Sequence, residues 1–201
     1  MSKVKICGLS RMEDIDAVNS AMPNFIGFVF APSRRKVTIG TASMLKRNLD
    51  PRIKAVGVFV NEDISVISGI VQSGIVDWVQ LHGDEDDVYI EQLKAICGCH
   101  VIKSVGVIDK LPPLPGNPDY LLFDAVSEQR GGVGRAFDWC VLTKSINTPY
   151  FLAGGLSIEN VLGAIDMLSP YCVDVSSGVE TNGLKDPRKI HEFVRAVRRI
   201  R

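Results

Sequence analysis

The chain has 201 residues, 46% of them apolar and 23% charged, with 23 basic side chains against 23 acidic ones. This composition excludes a disordered, collagen-like or low-complexity protein, and the length is enough to bury a sizeable core without staples. Zero formal net charge excludes a general nucleic-acid or anionic-membrane binder, and no apolar run reaches the roughly 18 residues of a membrane span.

Short apolar runs alternate with helix-like stretches from the first residues on. Lys3 to Cys7 reads as a strand rather than the apolar core of a signal peptide. Met12 to Ala21 follows with apolar residues three apart at Met12, Ile15 and Val18. Strands are expected at Phe25 to Phe30, Ala55 to Val60 and Val76 to Leu81. Ile64, Ile67 and Val71 mark the helix after the third strand, and Val88, Ile90, Leu93 and Ile96 the one after the fourth. Val101 to Val105, Tyr120 to Phe123, Tyr150 to Ala153 and Cys172 to Val175 complete the strands. Ile190, Phe193, Val194 and Val197 form the apolar face of a last helix, with Pro187 in its first turn. The connection after the fifth strand carries Pro112, Pro113, Pro115 and Pro118, so its helix is expected to be missing or reduced to a turn.

Eight Val-, Ile- and Phe-rich strands at a spacing of about 24 residues suit parallel buried strands in βα units. With no linker of disordered composition, they predict one domain over residues 1–201, a (β/α)8 TIM barrel at the short end of its size range. A doubly wound open sheet is the structural alternative. Five cysteines without an export signal imply free thiols and a cytoplasmic location. Cys97 and Cys99 form a CxC pair without a second pair, so they read as structural or exposed thiols and no metal site is expected. Arg195, Arg198, Arg199 and Arg201 read as a solvated face of the last helix.

Side chains alternate between the two faces of a strand. Val4 and Ile6, Val79 and Leu81, Leu121 and Phe123, and Val173 and Val175 should therefore face helices. Lys5, Cys7, Gln80, His82, Lys103, Asp124 and Asp174 should point into the barrel near the C-terminal strand ends, where barrel enzymes place their chemistry. Burying that many polar groups is costly unless they form a satisfied ionic network or serve a site. Glycine clusters follow the last strands, Gly154-Gly155 after the seventh and Ser176-Ser177-Gly178 after the eighth, with Gly131-Gly132-Val133-Gly134 after the sixth. Glycine lets backbone N–H groups approach a ligand closely, and clusters after strands seven and eight suggest a phosphate site. No GxxxxGK[ST] motif is present.

Lys5-Ile6-Cys7-Gly8, Gly27-Phe28-Val29-Phe30, Ser33-Arg34-Arg35-Lys36-Val37 and Gly57-Val58-Phe59-Val60-Asn61 occur in order. Val79-Gln80-Leu81-His82-Gly83, Gly132-Val133-Gly134 with Phe137-Asp138-Trp139, Leu152-Ala153-Gly154-Gly155-Leu156 and Asp174 through Glu180 follow. Together these motifs resemble the phosphoribosylanthranilate isomerase family over residues 3–186. Ser10 where Thr is frequent, Ala125-Val126 after Asp124, and a short Glu180–Asp186 segment are the departures.

The resemblance implies an Amadori rearrangement of N-(5-phosphoribosyl)anthranilate in tryptophan biosynthesis, with no cofactor and no metal. It implies Asp124 as the acid on the furanose ring oxygen and Cys7 as the base at C2. Arg35 would hold the anthranilate carboxylate, with Arg34 the fallback. His82 and Asp174 would position the substrate, and Gly155, Ser176, Ser177 and Gly178 would hold its phosphate. Asp124 would need a raised pKa, while Lys5 on the same strand face would lower that of Cys7. The partner is a small phosphosugar, with no nucleic acid and no membrane, and the protein would be a monomer or homodimer. The rival readings are another phosphosugar isomerase or epimerase, indole-glycerol-phosphate synthase, and a non-catalytic phosphosugar-binding barrel. The last has no need of the Cys7 and Asp124 pair.

Overall fold

In the computed structural model, eight parallel strands close into a barrel in chain order, β1 (Lys3–Cys7), β2 (Phe25–Val29), β3 (Lys54–Phe59), β4 (Trp78–Leu81), β5 (His100–Val107), β6 (Tyr120–Ala125), β7 (Tyr150–Leu152) and β8 (Cys172–Val175). Residues 1–125, 138–142 and 146–199 are described. Pairing of Lys3 with Cys172 and of Lys5 with Asp174 closes the ring, which rules out the open sheet. Helices α1 (Met12–Ala21), α2 (Ile39–Arg47), α3 (Ile64–Gln72), α4 (Asp87–Cys97), α5 (Val161–Leu168) and α6 (Pro187–Arg198) cover the outside.

Local sequence starts most of these helices. The Thr38, Asp63, Asp86 and Asp186 side chains each accept a backbone N–H of the first turn. Pro187 opens α6, where its missing N–H has no intrahelical use. α1 starts without an Asp or Ser cap. Instead the buried Asp14 accepts the N–H groups of Ser10 and Arg11 and pairs with the Arg11 guanidinium. No helix forms between Val107 and Tyr120, where the prolines stand.

The strand faces divide the core in two. Val4, Ile6, Val79, Leu81, Leu121, Phe123, Val173 and Val175 pack in the large outer layer with Ile15, Ile67, Ile90, Leu93, Ile190, Phe193, Val194 and Val197 of the helices. Val88 and Ile96, read above as part of the packed face of α4, are exposed instead. They lie two and three residues from Ile90 and Leu93, which carry the contact, and the α4 stripe is narrower than the run of apolar residues.

Inside the barrel, Phe25, Val56, Ile102, Leu122, Phe151, Ala153 and Cys172 form a second cluster. Below it, toward the N-terminal strand ends, Trp78 lies 4.8 Å from Phe25 and 5.0 Å from Tyr120 between ring centroids. Tyr120 in turn lies 4.7 Å from Tyr171. The Lys3 ammonium stands 4.7 Å from the centre of the Tyr171 ring and donates to Tyr171 Oη of that same residue at 2.7 Å. These rings floor the barrel and leave polar chemistry to its other end.

Lys103 is the exception to the expected inward set. It shares a strand face with Val101 and Val105 and pairs with Leu81, all of the outer layer. Its ammonium bonds Glu85 Oε2 at 2.8 Å and the Gly83 carbonyl at 2.6 Å. Glu85 also accepts the N–H groups of Asn61 and Gly83. Lys103 thus fastens the loops after β3 and β4 beside the barrel mouth.

Candidate active site

β1 places Lys5 and Cys7 on the inner wall, and β8 places Asp174 beside them. Lys5 is fully buried and bonds Asp174 Oδ2 at 2.8 Å. Burial alone would lower the Lys5 ammonium pKa, but the Asp174 carboxylate and the Cys7 thiol turn the balance and raise it, so it is a permanent charge. The other Asp174 oxygen, Oδ1, and Gln80 Oε1 are buried acceptors without a donor among the described residues. Such groups are costly unless something donates to them, and a sugar hydroxyl would.

The Cys7 thiol fits only because its neighbour on β2 is glycine. A Cβ at Gly27 would sit 2.6 Å from Cys7 Sγ. Burial raises the thiol, Lys5 lowers it, Asp174 raises it and Lys185 lowers it again, and the result is a pKa above the ordinary thiol value. Lys5 lowers the thiol as the sequence predicts, but the net downward shift expected from it does not follow. The positive neighbour is present, but desolvation of the thiolate outweighs it.

Asp124 stands at the end of β6. Burial first, then the Asp174 carboxylate, push its pKa from 3.8 up to about 6. His82 Nε2 lies 3.5 Å from Asp124 Oδ2. Gln80 Nε2 lies 2.9 Å from His82 Nδ1, so Nδ1 accepts and the ring proton sits on Nε2, toward Asp124. Burial and Lys5 lower the His82 pKa, which keeps the ring neutral at pH 7.

The glycine loops meet at the mouth. Gly154 and Gly155 have φ of 80° and 71°, and a Cβ on Gly154 would lie 2.4 Å from Ala125 N. A Cβ on Gly178 would lie 2.0 Å from the Leu156 carbonyl oxygen, so the loops after β7 and β8 touch backbone to backbone. Ser177–Val179 is a 3-10 turn, and the start of such a turn leaves backbone N–H groups without partners inside it. Ser176 Oγ donates to the Cys7 carbonyl at 2.9 Å, tying this loop to β1. Gly131, Gly132 and Gly134 lie outside the described residues. Arg35 reaches over from the loop after β2, its stem so close to Gly8 that a Cβ there would meet Cδ at 2.4 Å.

The side chains expected from the sequence thus lie around one mouth. That arrangement has a carboxyl with a pKa raised toward neutral pH, a half-buried thiol near two lysines, two acceptors unclaimed among the described residues and a pair of touching glycine loops. A model of the family described as N-(5'phosphoribosyl)anthranilate (PRA) isomerase matches residues 4–196.

The chain belongs to the phosphoribosylanthranilate isomerase family.

It is 47% identical to the N-(5'-phosphoribosyl)anthranilate isomerase of Endomicrobium trichonymphae over 201 residues, covering 100% of both chains. It is 44% identical to that of Clostridium acetobutylicum, again over 100% of both. The crystal structure of the Thermotoga maritima isomerase superposes with a TM-score of 0.86 at 33% identity, covering 98% of this chain and 99% of that one. A family structure in complex with reduced 1-(o-carboxyphenylamino)-1-deoxyribulose 5-phosphate superposes with a TM-score of 0.82 at 31% identity, covering 98% and 99%.

Within this family member, three residues at the mouth escaped the sequence reading as site residues. Gly27 was visible only as part of a motif, although its pairing with Cys7 in the β1–β2 register follows once the strands are aligned. Glu180 and Lys185 belong to the short hairpin after β8, β9 (Glu180–Thr181) and β10 (Leu184–Lys185), where no periodicity tells which side chains turn inward.

Proposed function

We propose that this chain carries out the reaction of its family with Asp124 as the acid and Cys7 as the base. The reaction rearranges the aminoaldose N-(5'-phosphoribosyl)anthranilate to the aminoketose 1-(o-carboxyphenylamino)-1-deoxyribulose 5-phosphate in tryptophan biosynthesis. It is redox-neutral, and each step moves a proton. Asp124 gives its proton to the furanose ring oxygen, the C1–O bond breaks, and the anthranilate nitrogen lone pair closes an iminium ion. Cys7 as thiolate takes the C2 proton, the C2–H electrons form the C1–C2 double bond, and the iminium is neutralised to an enolamine. Tautomerisation of the C2 enol returns a proton to C1 and leaves the ketone.

The observation that carries this reading is Asp124 held near pH 6 on the same inner wall as a thiol, with Asp174 acting electrostatically on both. A carboxyl of ordinary pKa would have no proton to give at neutral pH. The raised thiol makes the thiolate the minor form at neutral pH, produced by loss of the S–H proton to solvent before the substrate closes the mouth. The iminium is a positive charge next to C2, and its arrival favours the thiolate as it acidifies the C–H bond. Arg35 receives the anthranilate carboxylate, His82 and Asp174 hold the sugar, and the N–H groups of Gly155, Ser176, Ser177 and Gly178 receive the phosphate. All of these residues come from one chain, so a monomer or a homodimer can work. A Thermotoga maritima relative is described as dimeric. Among the described residues no helix is long and apolar enough to cross a membrane, and a biosynthetic enzyme of this kind fits a cytoplasmic setting.

The test is turnover of phosphoribosylanthranilate, generated in situ from anthranilate and phosphoribosyl pyrophosphate and followed by substrate fluorescence. Wild type consumes it and Cys7→Ala does not, while still binding the reduced product analogue. Full turnover by Cys7→Ala would remove the thiol from the mechanism. Binding without turnover by the wild type would favour a phosphosugar-binding barrel.

A further inference from the structure

Glu180 opens the hairpin after β8, and its side chain is 5% exposed. Three cations converge on this one carboxylate. Arg35 Nε reaches Oε1 at 2.7 Å and Arg35 Nη2 reaches Oε2 at 3.1 Å. Arg34 Nη2 reaches Oε2 at 2.7 Å, and Lys185 Nζ reaches Oε1 at 2.7 Å. Glu180 and Lys185 are nearly buried and Arg35 is 19% exposed, while Arg34 is 56% exposed and solvated. The low-exposure part of the cluster thus keeps one positive charge in excess at the mouth of the barrel, which is expensive unless something pairs with it.

We propose that Glu180 is a positioning residue for carboxylate recognition, gripping the Nε/Nη2 edge of Arg35 so that the Nη1/Nη2 edge is presented to the substrate's carboxylate. The inference rests on the assignment of Arg35 to that carboxylate. A guanidinium carries five N–H donors in a rigid plane, so fixing one edge fixes the other. No hydrogen bond among the described residues uses Arg35 Nη1. The stem cannot swing away on its other side, because it lies against Gly8.

Glu180 is itself well anchored. Lys185, which is buried, also bonds the Ser176 carbonyl at 2.9 Å and Ser176 Oγ at 3.2 Å. Lys189 Nζ holds the Glu180 carbonyl at 2.8 Å. Ser176 in turn bonds the backbone of Cys7. The orientation of the Arg35 fork is thereby referred to the strand that carries the base and to the loop assigned to the phosphate. A substrate held at both ends would have its C2 placed against the thiol by this one chain of contacts. Burial raises the Glu180 pKa, but its bonds to Arg35 and Lys185 prevail and hold it at about 2, so the grip persists at any working pH.

The experiment compares Glu180→Gln, Arg35→Ala and the double variant in steady-state turnover. Inorganic phosphate serves as a competitive probe that has no carboxylate. Glu180→Gln is expected to raise KM by roughly tenfold, the size typical of losing a group that orients a binding side chain, with kcat reduced less than twofold. The inhibition constant of phosphate should stay within about twofold, which shows the loop after β8 is intact. Arg35→Ala should raise KM at least as much, and adding Glu180→Gln to it should change nothing further, since there is no fork left to orient. Additive effects in the double variant, or equal losses of phosphate and substrate affinity, would make Glu180 a general structural residue and overturn the inference. If Arg35→Ala raises KM and Glu180→Gln does not, the inference alone fails. If Arg35→Ala leaves KM unchanged, the assignment of Arg35 fails with it.

Discussion

Replacing Asp124 by Asn should disable the enzyme and stabilise it at once. Folding carries Asp124 from a pKa of 3.8 to about 6, through burial and the Asp174 carboxylate. The shift of about 2 units corresponds to about 3 kcal/mol. The Asp124 side chain is 33% exposed at the mouth, and solvent screening reduces this to about 1–2 kcal/mol. The sign follows from proton binding. Between about pH 4 and pH 6 the folded state holds the proton more tightly than the unfolded chain, so this group's contribution to stability falls as pH rises through that window. Above it, wild type bears the full cost of a carboxylate in a poor setting. Asn keeps the shape, carries no charge and bears none of it. Urea denaturation at pH 8 should therefore place Asp124→Asn about 1–2 kcal/mol above wild type, and the difference should vanish near pH 4. Turnover at pH 7 should fall by about 10²- to 10⁴-fold, the usual worth of a general acid. Equal stability of the two proteins at both pH values would refute the account of Asp124 as a strained carboxylate, whatever happened to its activity.

Two glycines offer simpler perturbations. Gly27→Ala puts a methyl group 2.6 Å from Cys7 Sγ, too close for both, and the thiol must move. A displacement of about 1 Å should lower kcat by about 10²-fold, and the Cys7 Cα at 3.2 Å means that β1 must give slightly too, lowering the melting temperature. An unchanged kcat would mean the thiol position is not critical. Gly178→Ala meets the Leu156 carbonyl at 2.0 Å, which is backbone and cannot yield cheaply. It should destabilise by about 1–3 kcal/mol and weaken inhibition by inorganic phosphate, and retained phosphate affinity would separate this loop from phosphate binding.

Much of this was legible in the sequence because the barrel repeats one rule. β1 and β8 each alternate an apolar residue with a polar or cysteine one, Lys3-Val4-Lys5-Ile6-Cys7 and Cys172-Val173-Asp174-Val175, and both strands begin and end with that alternation. The period of two then assigns Lys5, Gln80, Asp124 and Asp174 to the inner wall. It failed for Lys103, because Val101-Ile102-Lys103 is apolar on both faces and parity has no contrast to work with. What settles Lys103 is Glu85, in a different loop. The thiol of Cys7 failed for another reason. Lys5 is two residues away and visible, whereas the burial that outweighs it is contributed by strands from the whole chain. Glu180 was visible only as the last residue of a motif, since an acidic residue in a hairpin is ordinary and its three cations come from distant loops or from beyond a turn.

The aromatic floor around Trp78, Tyr120 and Tyr171 makes the barrel a cup rather than a tube. A cup has one opening, so substrate, product and every proton exchanged with bulk water share a single passage. In the proposed mechanism, a substrate filling that passage would separate Asp124 and Cys7 from bulk water. The proton given to the ring oxygen and the proton taken from C2 would then pass only between ligand and wall, and the resting protonation states would be restored through the same passage once the product has left.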